Sequence, residues 1–180
     1  MPKIGKMRCE MAQENIIGII SDSHDNRDAI HRAVDVFNSA ECALVIHGGD
    51  YVAPFTVREF GRLECPLVGV YGNNDGERAG LEAQYANVGQ LHRAPHEFGH
   101  GGKRFIVMHE PYYLDDSSAR EDVDVVVYGH THKIDIRPGK PLVINPGESC
   151  SWLSGRSTVV LLDIETMKPQ LIDLYETACQ

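Results

Sequence analysis

The sequence lacks several features that would place it in common protein classes. No apolar run approaches the length that a membrane-spanning helix needs, so no membrane partner is expected. The chain has no Cys-x-x-Cys pair, and its cysteines are odd in number, which argues against a disulfide framework and a zinc ribbon. It also has no run of lysines or arginines, and its net charge of −9 would repel a polyanion. We therefore expect a cytoplasmic protein that does not bind bulk nucleic acid. The five cysteines are Cys9, Cys42, Cys65, Cys150 and Cys179.

The length of the chain predicts one folded unit preceded by a tail. Residues 1–14 contain a few basic residues but no apolar segment that could act as a secretory signal, and we predict a mobile tail there. We expect residues 15–180 to form a single domain, because a chain of 180 residues suffices for one substantial core but not for two. An assembly of identical chains stays open.

The hydrophobic pattern predicts alternating strands and helices in the first half of the chain and mostly strands in the second half. Ile16 to Ile20 is a continuous apolar run, typical of a strand buried on both faces. Asn26 is placed to cap a helix whose apolar stripe includes Ile30 and Phe37. This α/β (α+β) pattern predicts two sheets packed face to face and flanked by helices. The other predicted strands are 43–46, 67–71, 90–98, 104–108, 123–128, 134–137, 142–144, 158–164 and 170–174, with helices after residue 54 and over 77–86.

Seven polar residues lie just after the predicted strands and carry metal-binding chemistry. In α/β sheets, sites gather beyond the carboxyl ends of the strands, so residues that are distant in sequence are expected to meet there. Two aspartates, one amide and four imidazoles, with no thiolate, form a donor set that suits manganese, iron, zinc or nickel. One shared carboxylate could join two such cations. The seven residues are Asp22, His24, Asp50, Asn73, His109, His130 and His132.

The motifs that contain these residues resemble those of the calcineurin-like metallophosphoesterase superfamily, in particular its small single-domain phosphodiesterase branch. Asp-x-His, Gly-Asp, Gly-Asn-x-Asp, a lone His after a strand and Gly-His-x-His occur in the order typical of that family, between Ile16 and about Asp163. The resemblance implies a four-layer α-β-β-α sandwich with two mixed β-sheets. It also implies that Asp22, His24 and His132 bind a first metal ion, that Asn73, His109 and His130 bind a second, and that Asp50 bridges them.

The resemblance further implies a hydrolase that cleaves small phosphodiesters with two divalent cations, manganese being expected ahead of iron, zinc and nickel. A hydroxide shared by the cations would attack phosphorus, since metal binding lowers the pKa of water from 15.7 to roughly 7. Asp50, Asn73 and His109 would act through that hydroxide and by stabilising the phosphoryl oxygens. Asp75 is the expected neighbour that orients a ligand by a hydrogen bond.

Three segments depart from the family pattern. Asn74 stands where many relatives have a histidine, and an amide cannot donate a proton as an acid, which favours diesters with activated leaving groups. Glu110 and Pro111 follow His109 where relatives often have Gly-His. Glu148 replaces the serine of Asn-Pro-Gly-Ser, where it could tune specificity or cap a turn.

Two other functions stay open. A protein that keeps the fold as a non-catalytic binding scaffold would lose metal ligands, whereas all seven positions here carry competent ones. A phosphomonoesterase is the other alternative. Among the remaining residues, His47 is expected to be structural or to support a ligand. Trp152 and the pair Tyr112 and Tyr113 could line a substrate pocket or could pack in the ordinary way.

Overall fold

The computed structural model describes residues 15–175. The predicted mobile tail over residues 1–14 lies outside this range, as do the last five residues of the predicted domain. Among the described residues, no helix combines the length and the apolar character that a bilayer span requires.

A six-stranded mixed sheet contains the parallel strands of the first half of the chain. Its order is β11-β10-β1-β2-β3-β4, in which β1 to β4 run parallel, β10 pairs antiparallel with β1, and β11 pairs antiparallel with β10 at the edge. The parallel part follows from the continuous apolar runs, since strands covered on both faces have no polar face to alternate. The strands are β1 (Ile16–Ile20), β2 (Leu44–His47), β3 (Leu67–Val70), β4 (Gly89–His92), β10 (Thr158–Asp163) and β11 (Lys168–Asp173).

A second, five-stranded mixed sheet has the order β5-β6-β7-β9-β8. Strands β6, β7 and β9 run parallel, whereas β5 and β8 pair antiparallel at the two edges. The strands are β5 (His96–His100), β6 (Lys103–Val107), β7 (Val125–Val127), β8 (Ile134–Arg137) and β9 (Leu142–Pro146).

Helices cover the outer face of each sheet, which makes the four-layer sandwich expected from the resemblance. Helix α1 (Arg27–Ser39) begins after Asn26, whose side chain accepts a hydrogen bond from the Ala29 N–H at 3.2 Å, as an N-cap does. Its buried face packs with α2 (Val57–Phe60) and α3 (Arg78–Tyr85) on the first sheet. Helix α4 (Leu114–Ser118) packs on the second sheet.

The apolar layer between the two sheets joins them. The two faces of strand β1 contact different parts of the core. Ile17 and Ile19 belong to the layer between the sheets, whereas Ile20 belongs to the cluster under the helices. Phe105 from β6 meets the same inter-sheet layer. Because aliphatic side chains from both sheets fill one layer, the sheets hold a defined position relative to each other, and so do the loops at their ends.

One prediction of local structure was wrong, and one short helical segment was not predicted. The predicted strand over 90–98 is divided into β4 and β5, which belong to different sheets. The division falls at Pro95, which has no N–H for a sheet ladder and restricts the residue before it. A 3₁₀ turn (Pro111–Tyr113) and α4 were not predicted, because so short an apolar segment carries no clear helical period. The other predicted strands and helices are confirmed to within about two residues at each end.

Candidate metal centre

The seven predicted residues all lie just beyond the carboxyl ends of parallel strands. Asp22 and Asp50 follow β1 and β2, whereas His109 and His130 follow β6 and β7 in the other sheet. Asp22, His24, Asp50, His130 and His132 all have positive φ angles, between 39° and 67°. Non-glycine residues in that conformation carry backbone strain, and such residues cluster at functional sites. In these loops the strained backbone directs the five side chains toward one place.

The first group consists of Asp22, His24 and His132. The Asp22 Oδ1 atom lies 3.9 Å from His24 Nε2 and 3.5 Å from His132 Nε2, and the two imidazole rings are stacked 5.1 Å apart. Asp22 is fully buried, and its carboxylate also accepts hydrogen bonds from the Ser21 hydroxyl at 2.6 Å and the His130 N–H at 3.1 Å. One ligand atom of each residue can therefore reach a single ion.

The second group consists of Asn73, His109 and His130. The Asn73 Oδ1 atom lies 2.9 Å from His109 Nε2 and 2.8 Å from His130 Nδ1. His109 is fully buried, and its Nδ1 donates to the Gly48 carbonyl at 2.8 Å. Because a carbonyl only accepts, that bond places the proton on Nδ1 and leaves the Nε2 lone pair directed at Asn73.

Asp50 lies between the two groups. Its Oδ2 atom is 3.5 Å from His24 Nε2 of the first group and 3.3 Å from His109 Nε2 of the second. Asn74 holds this carboxylate, donating its backbone N–H to Oδ1 at 2.8 Å and its side-chain amide to Oδ2 at 2.7 Å. Although burial raises the pKa of Asp50, the contacts with His109 and Asn74 hold it well below its usual value. Asp50 is thus an ionised carboxylate that faces both groups.

Two glycines permit the close approach of the loops. A Cβ atom on Gly72 would lie 2.1 Å from Asp50 Oδ1, and one on Gly129 would lie 2.1 Å from the Ser21 hydroxyl. Neither position can accept a side chain without movement of the surrounding site.

Asp75 acts on the backbone around Asp50. Its Oδ2 atom accepts hydrogen bonds from the N–H groups of Gly72 at 2.7 Å and Asp50 at 3.0 Å, and its Oδ1 accepts from Val52 at 2.8 Å. The carboxylate is only 2% exposed. It therefore joins the loop after β2 to the loop after β3, and orients Asp50 through the main chain rather than through a ligand side chain.

His47 is a structural neighbour of the cluster and belongs to neither group. Its Nδ1 accepts the Gly49 N–H at 3.1 Å, which leaves the proton on Nε2, where the Ser23 hydroxyl lies at 3.1 Å. The ring stacks on Tyr51 at 3.7 Å, and burial lowers the pKa of His47 well below its usual value. Both ring nitrogens are occupied, so His47 supports the turn before Asp50 as a neutral imidazole.

Glu148 holds His132. It is 1% exposed and accepts hydrogen bonds from His132 Nδ1 at 2.7 Å, the Leu153 N–H at 2.9 Å, the Cys150 thiol at 3.1 Å and the Ser154 N–H. Burial raises the pKa of Glu148, but the hydrogen bonds from His132 and Ser154 outweigh burial and lower this pKa to about 2. An ionised carboxylate only accepts, so Nδ1 of His132 carries the proton and Nε2 faces Asp22. Glu148, which replaces the serine of the family pattern, therefore positions His132 in the centre.

Sequence reasoning missed two residues that support the cluster. Ser21 donates to Asp22, and Asn145 donates its amide to the Gly129 carbonyl at 2.9 Å and to the Thr131 hydroxyl at 3.0 Å. Asn145 thereby holds the loop that carries His130 and His132. The signal for Ser21 was its hydroxyl next to Asp22, and the signal for Asn145 was its place at the end of a buried strand.

The residues fit a pair of divalent cations. His24 Nε2 is buried and has no hydrogen-bond partner among residues 15–175, although it is directed at two carboxylates. Burial also raises the pKa of Asp22, and a cation beside that carboxylate would offset the cost of its ionisation. Nitrogen and oxygen donors without thiolate are the set expected for manganese, iron, zinc or nickel.

The centre opens to solvent on one side. Asn73, Asn74 and His130 are exposed, whereas Asp22 and His109 are buried beneath them. A substrate would therefore approach from the side of these three exposed residues. A cavity of about 520 Å³ elsewhere is lined by residues of the β5–β6 turn, at the opposite end of β6 from His109, and contains none of the seven residues.

Comparisons with known proteins point to one family. The sequence profile of the calcineurin-like phosphoesterase superfamily domain matches residues 16–167. A phosphodiesterase of Methanocaldococcus jannaschii is 36% identical over 154 residues, which make up 83% of this chain and 93% of that protein.

Solved structures agree with this similarity. The structure of an archaeal phosphodiesterase superimposes with a TM-score of 0.83 at 34% identity, covering 88% of this chain and 99% of that one. Vps29 of Chaetomium thermophilum superimposes with a TM-score of 0.66 at 15% identity, covering 90% and 95%. At that low identity, the likeness to Vps29 is one of fold alone.

Proposed function

The chain belongs to the calcineurin-like phosphoesterase superfamily, and from this premise we propose that it is a phosphodiesterase that works with two divalent cations. One observation carries the proposal. The Asp50 carboxylate lies within 3.5 Å of an imidazole nitrogen from each of the two groups, as a carboxylate shared by two ions must. The similarity to a curated phosphodiesterase supports the same activity.

The residues divide between the two ions by their positions. Asp22, His24 and His132 would hold the first ion, and Asn73, His109 and His130 would hold the second, with Asp50 serving both. When bound, the cations would supply a nucleophile at neutral pH and offset the charge that develops on the phosphoryl oxygens. Glu148 and Gly48 fix the protons of His132 and His109 on Nδ1, so that Nε2 of each ring is a free ligand.

The substrate side of the centre favours activated diesters. Asn74 holds Asp50 in place and, being an amide, has no proton to give to a leaving group. A leaving group that departs without an acid, such as a phenolate, is therefore the expected kind. The centre is open on one side, where a small phosphodiester can approach, and two cations would overcome the net charge of −9 locally.

We expect manganese to be the working metal, with iron, zinc and nickel as alternatives, because four imidazoles favour these ions over calcium. The cytoplasm remains the predicted compartment. Cys42, Cys65 and Cys150, the cysteines among the described residues, are all free thiols, which suits a reducing environment.

A metal-reconstitution assay tests this proposal. Metal-stripped protein is reloaded with manganese, nickel, zinc or magnesium, and its hydrolysis of bis(p-nitrophenyl) phosphate is compared with that of p-nitrophenyl phosphate. Asp50→Asn is the test variant, and Asp116→Asn on the exposed surface of α4 is the matched control. We expect metal-dependent cleavage of the diester that is lost in Asp50→Asn and kept in Asp116→Asn.

The alternatives give different results in the same assay. Faster hydrolysis of the monoester with every metal would assign a phosphomonoesterase. Two bound ions per chain, measured by elemental analysis, without turnover of either ester would favour the non-catalytic scaffold.

A further inference from the structure

An exposed tryptophan borders the metal centre. Trp152 is 63% exposed, which is unusual for the largest apolar side chain, and it is the only tryptophan in the sequence. Its ring lies 6.0 Å from the ring of His24, which in turn stacks on His132. Trp152 thus stands beside His24, one of the residues proposed to hold the first ion, and it is not packed in the core.

The loop that carries Trp152 is held from both sides. Glu148 accepts the N–H groups of Leu153 and Ser154, directly after Trp152 in the chain. Before it, the Cys150 carbonyl accepts a hydrogen bond from the Asn26 side chain at 3.0 Å. An aromatic ring presented on a fixed backbone loses little conformational entropy when a ligand stacks on it, which is a favourable arrangement for a binding surface.

We propose that Trp152 is a stacking subsite for a planar aromatic group esterified to the phosphate, so that the substrates are phosphodiesters of the nucleoside or aryl class. This inference rests on the proposed phosphodiesterase function and adds the chemical class of the substrate. Because the Trp152 ring lies 6.0 Å from the ring of His24, a base stacked on Trp152 would lie close to a phosphate at the cluster, as the base of a nucleotide does to its own phosphate. Stacking on an aromatic side chain changes the affinity for a base about five- to 150-fold.

The same loop provides a matched control. Leu153 is 76% exposed and adjacent to Trp152, but it has no aromatic face. If general hydrophobic exposure at this loop mattered, Leu153→Ala would have the same effect as Trp152→Ala. If stacking matters, Trp152→Ala lowers the affinity for the ligand and Leu153→Ala does not, whereas Trp152→Phe retains most of the affinity.

Intrinsic fluorescence tests the subsite without any turnover, since Trp152 is the only source of tryptophan emission. Zinc-loaded protein is titrated with thymidine 5′-phosphate and, separately, with methyl phosphate. We expect saturable quenching by the nucleotide and none by methyl phosphate. Equal quenching by the two ligands, or quenching by neither, would overturn the proposal of a stacking subsite.

Competition against bis(p-nitrophenyl) phosphate hydrolysis gives the second measurement. Trp152→Ala should raise the inhibition constant of thymidine 5′-phosphate at least about five-fold and leave that of methyl phosphate unchanged, whereas Leu153→Ala should alter neither. Equal losses for both inhibitors would contradict the proposal. So would loss of self-association in Trp152→Ala, measured by sedimentation, with both constants unchanged, since the ring would then belong to an interface between chains.

The two proposals fail separately. Nucleotide quenching in a protein that hydrolyses no diester would keep the subsite and refute the phosphodiesterase. Diester hydrolysis without quenching would refute the subsite and keep the phosphodiesterase.

Discussion

The buried carboxylate of Glu148 accepts a hydrogen bond from Nδ1 of His132 at 2.7 Å. This bond sets the tautomer of the imidazole and turns its Nε2 toward Asp22, 3.5 Å away. The same carboxylate holds the N–H of Leu153, so one residue positions both a proposed ligand of the first ion and the loop that presents Trp152.

The variant Glu148→Gln tests this relationship. Its amide would place an N–H group against a donor, either His132 Nδ1 or the main-chain N–H groups of Leu153 and Ser154. We expect the affinity for the first ion to fall about 10- to 100-fold while the second site is unchanged. Calorimetric titration with manganese measures the affinities of both sites. Glu97→Gln, which alters an exposed ion pair with Arg120, is the control and should bind as the natural protein does.

The glycines of the loop after β3 allow a paired test of close approach. Gly72→Ala would place a Cβ atom 2.1 Å from Asp50 Oδ1, whereas a Cβ on Gly76 would have no neighbour within 4 Å. We expect Gly72→Ala to lower the free energy of unfolding by about 1–3 kcal/mol and to reduce metal binding, because Asp50 must move. Gly76→Ala should change neither quantity by much. Urea denaturation of both variants makes the comparison, and equal effects would contradict the steric account.

Asp75 is expected to stabilise the loop around Asp50 even without metal. In Asp75→Asn, one oxygen that accepts main-chain N–H groups becomes a donor, and a buried N–H of Gly72, Asp50 or Val52 loses its partner. The expected loss is about 1–3 kcal/mol in the free energy of unfolding of the metal-free protein. Asp116→Asn on exposed α4 provides the reference. A variant as stable as this reference would show that the three bonds contribute little.

Asn74→His tests the leaving-group preference. An imidazole at this exposed position could protonate a leaving group, which the amide cannot do. We expect the ratio of alkyl-ester to nitrophenyl-ester hydrolysis to rise at least about ten-fold, even if overall activity falls because the bond from Asn74 Nδ2 to Asp50 is lost. A fall in both rates by the same factor would mean that Asn74 matters only for holding Asp50.

Sequence patterns were sufficient for most of the fold, and the exceptions are local. Ile16 to Ile20 and Asn26 predicted β1 and α1 because a buried strand and a capped amphipathic helix have distinct hydrophobic periods. The prediction of a single strand over 90–98 missed the division at Pro95, since the residues on both sides have β-like composition and the choice of sheet depends on long-range contacts.

The candidate site was likewise predicted only in part. Residue types after each strand indicated which side chains could bind metal, because donor chemistry belongs to the residue and the carboxyl ends of parallel strands share an edge. Asn145 and the contacts of Glu148 were not predicted, since each joins loops from different strands.

The sequence by itself therefore determined most of the strands, the capped helix and the donor types, which depend on local hydrophobic pattern and side-chain chemistry. Only the tertiary structure decided the distances that join Asp50 to His24 and His109, the contact by which Glu148 holds His132, and the exposure of Trp152 beside His24. The physical reason is that these relationships depend on how the two sheets pack. The aliphatic layer between them sets the distance between loops that are far apart in the chain.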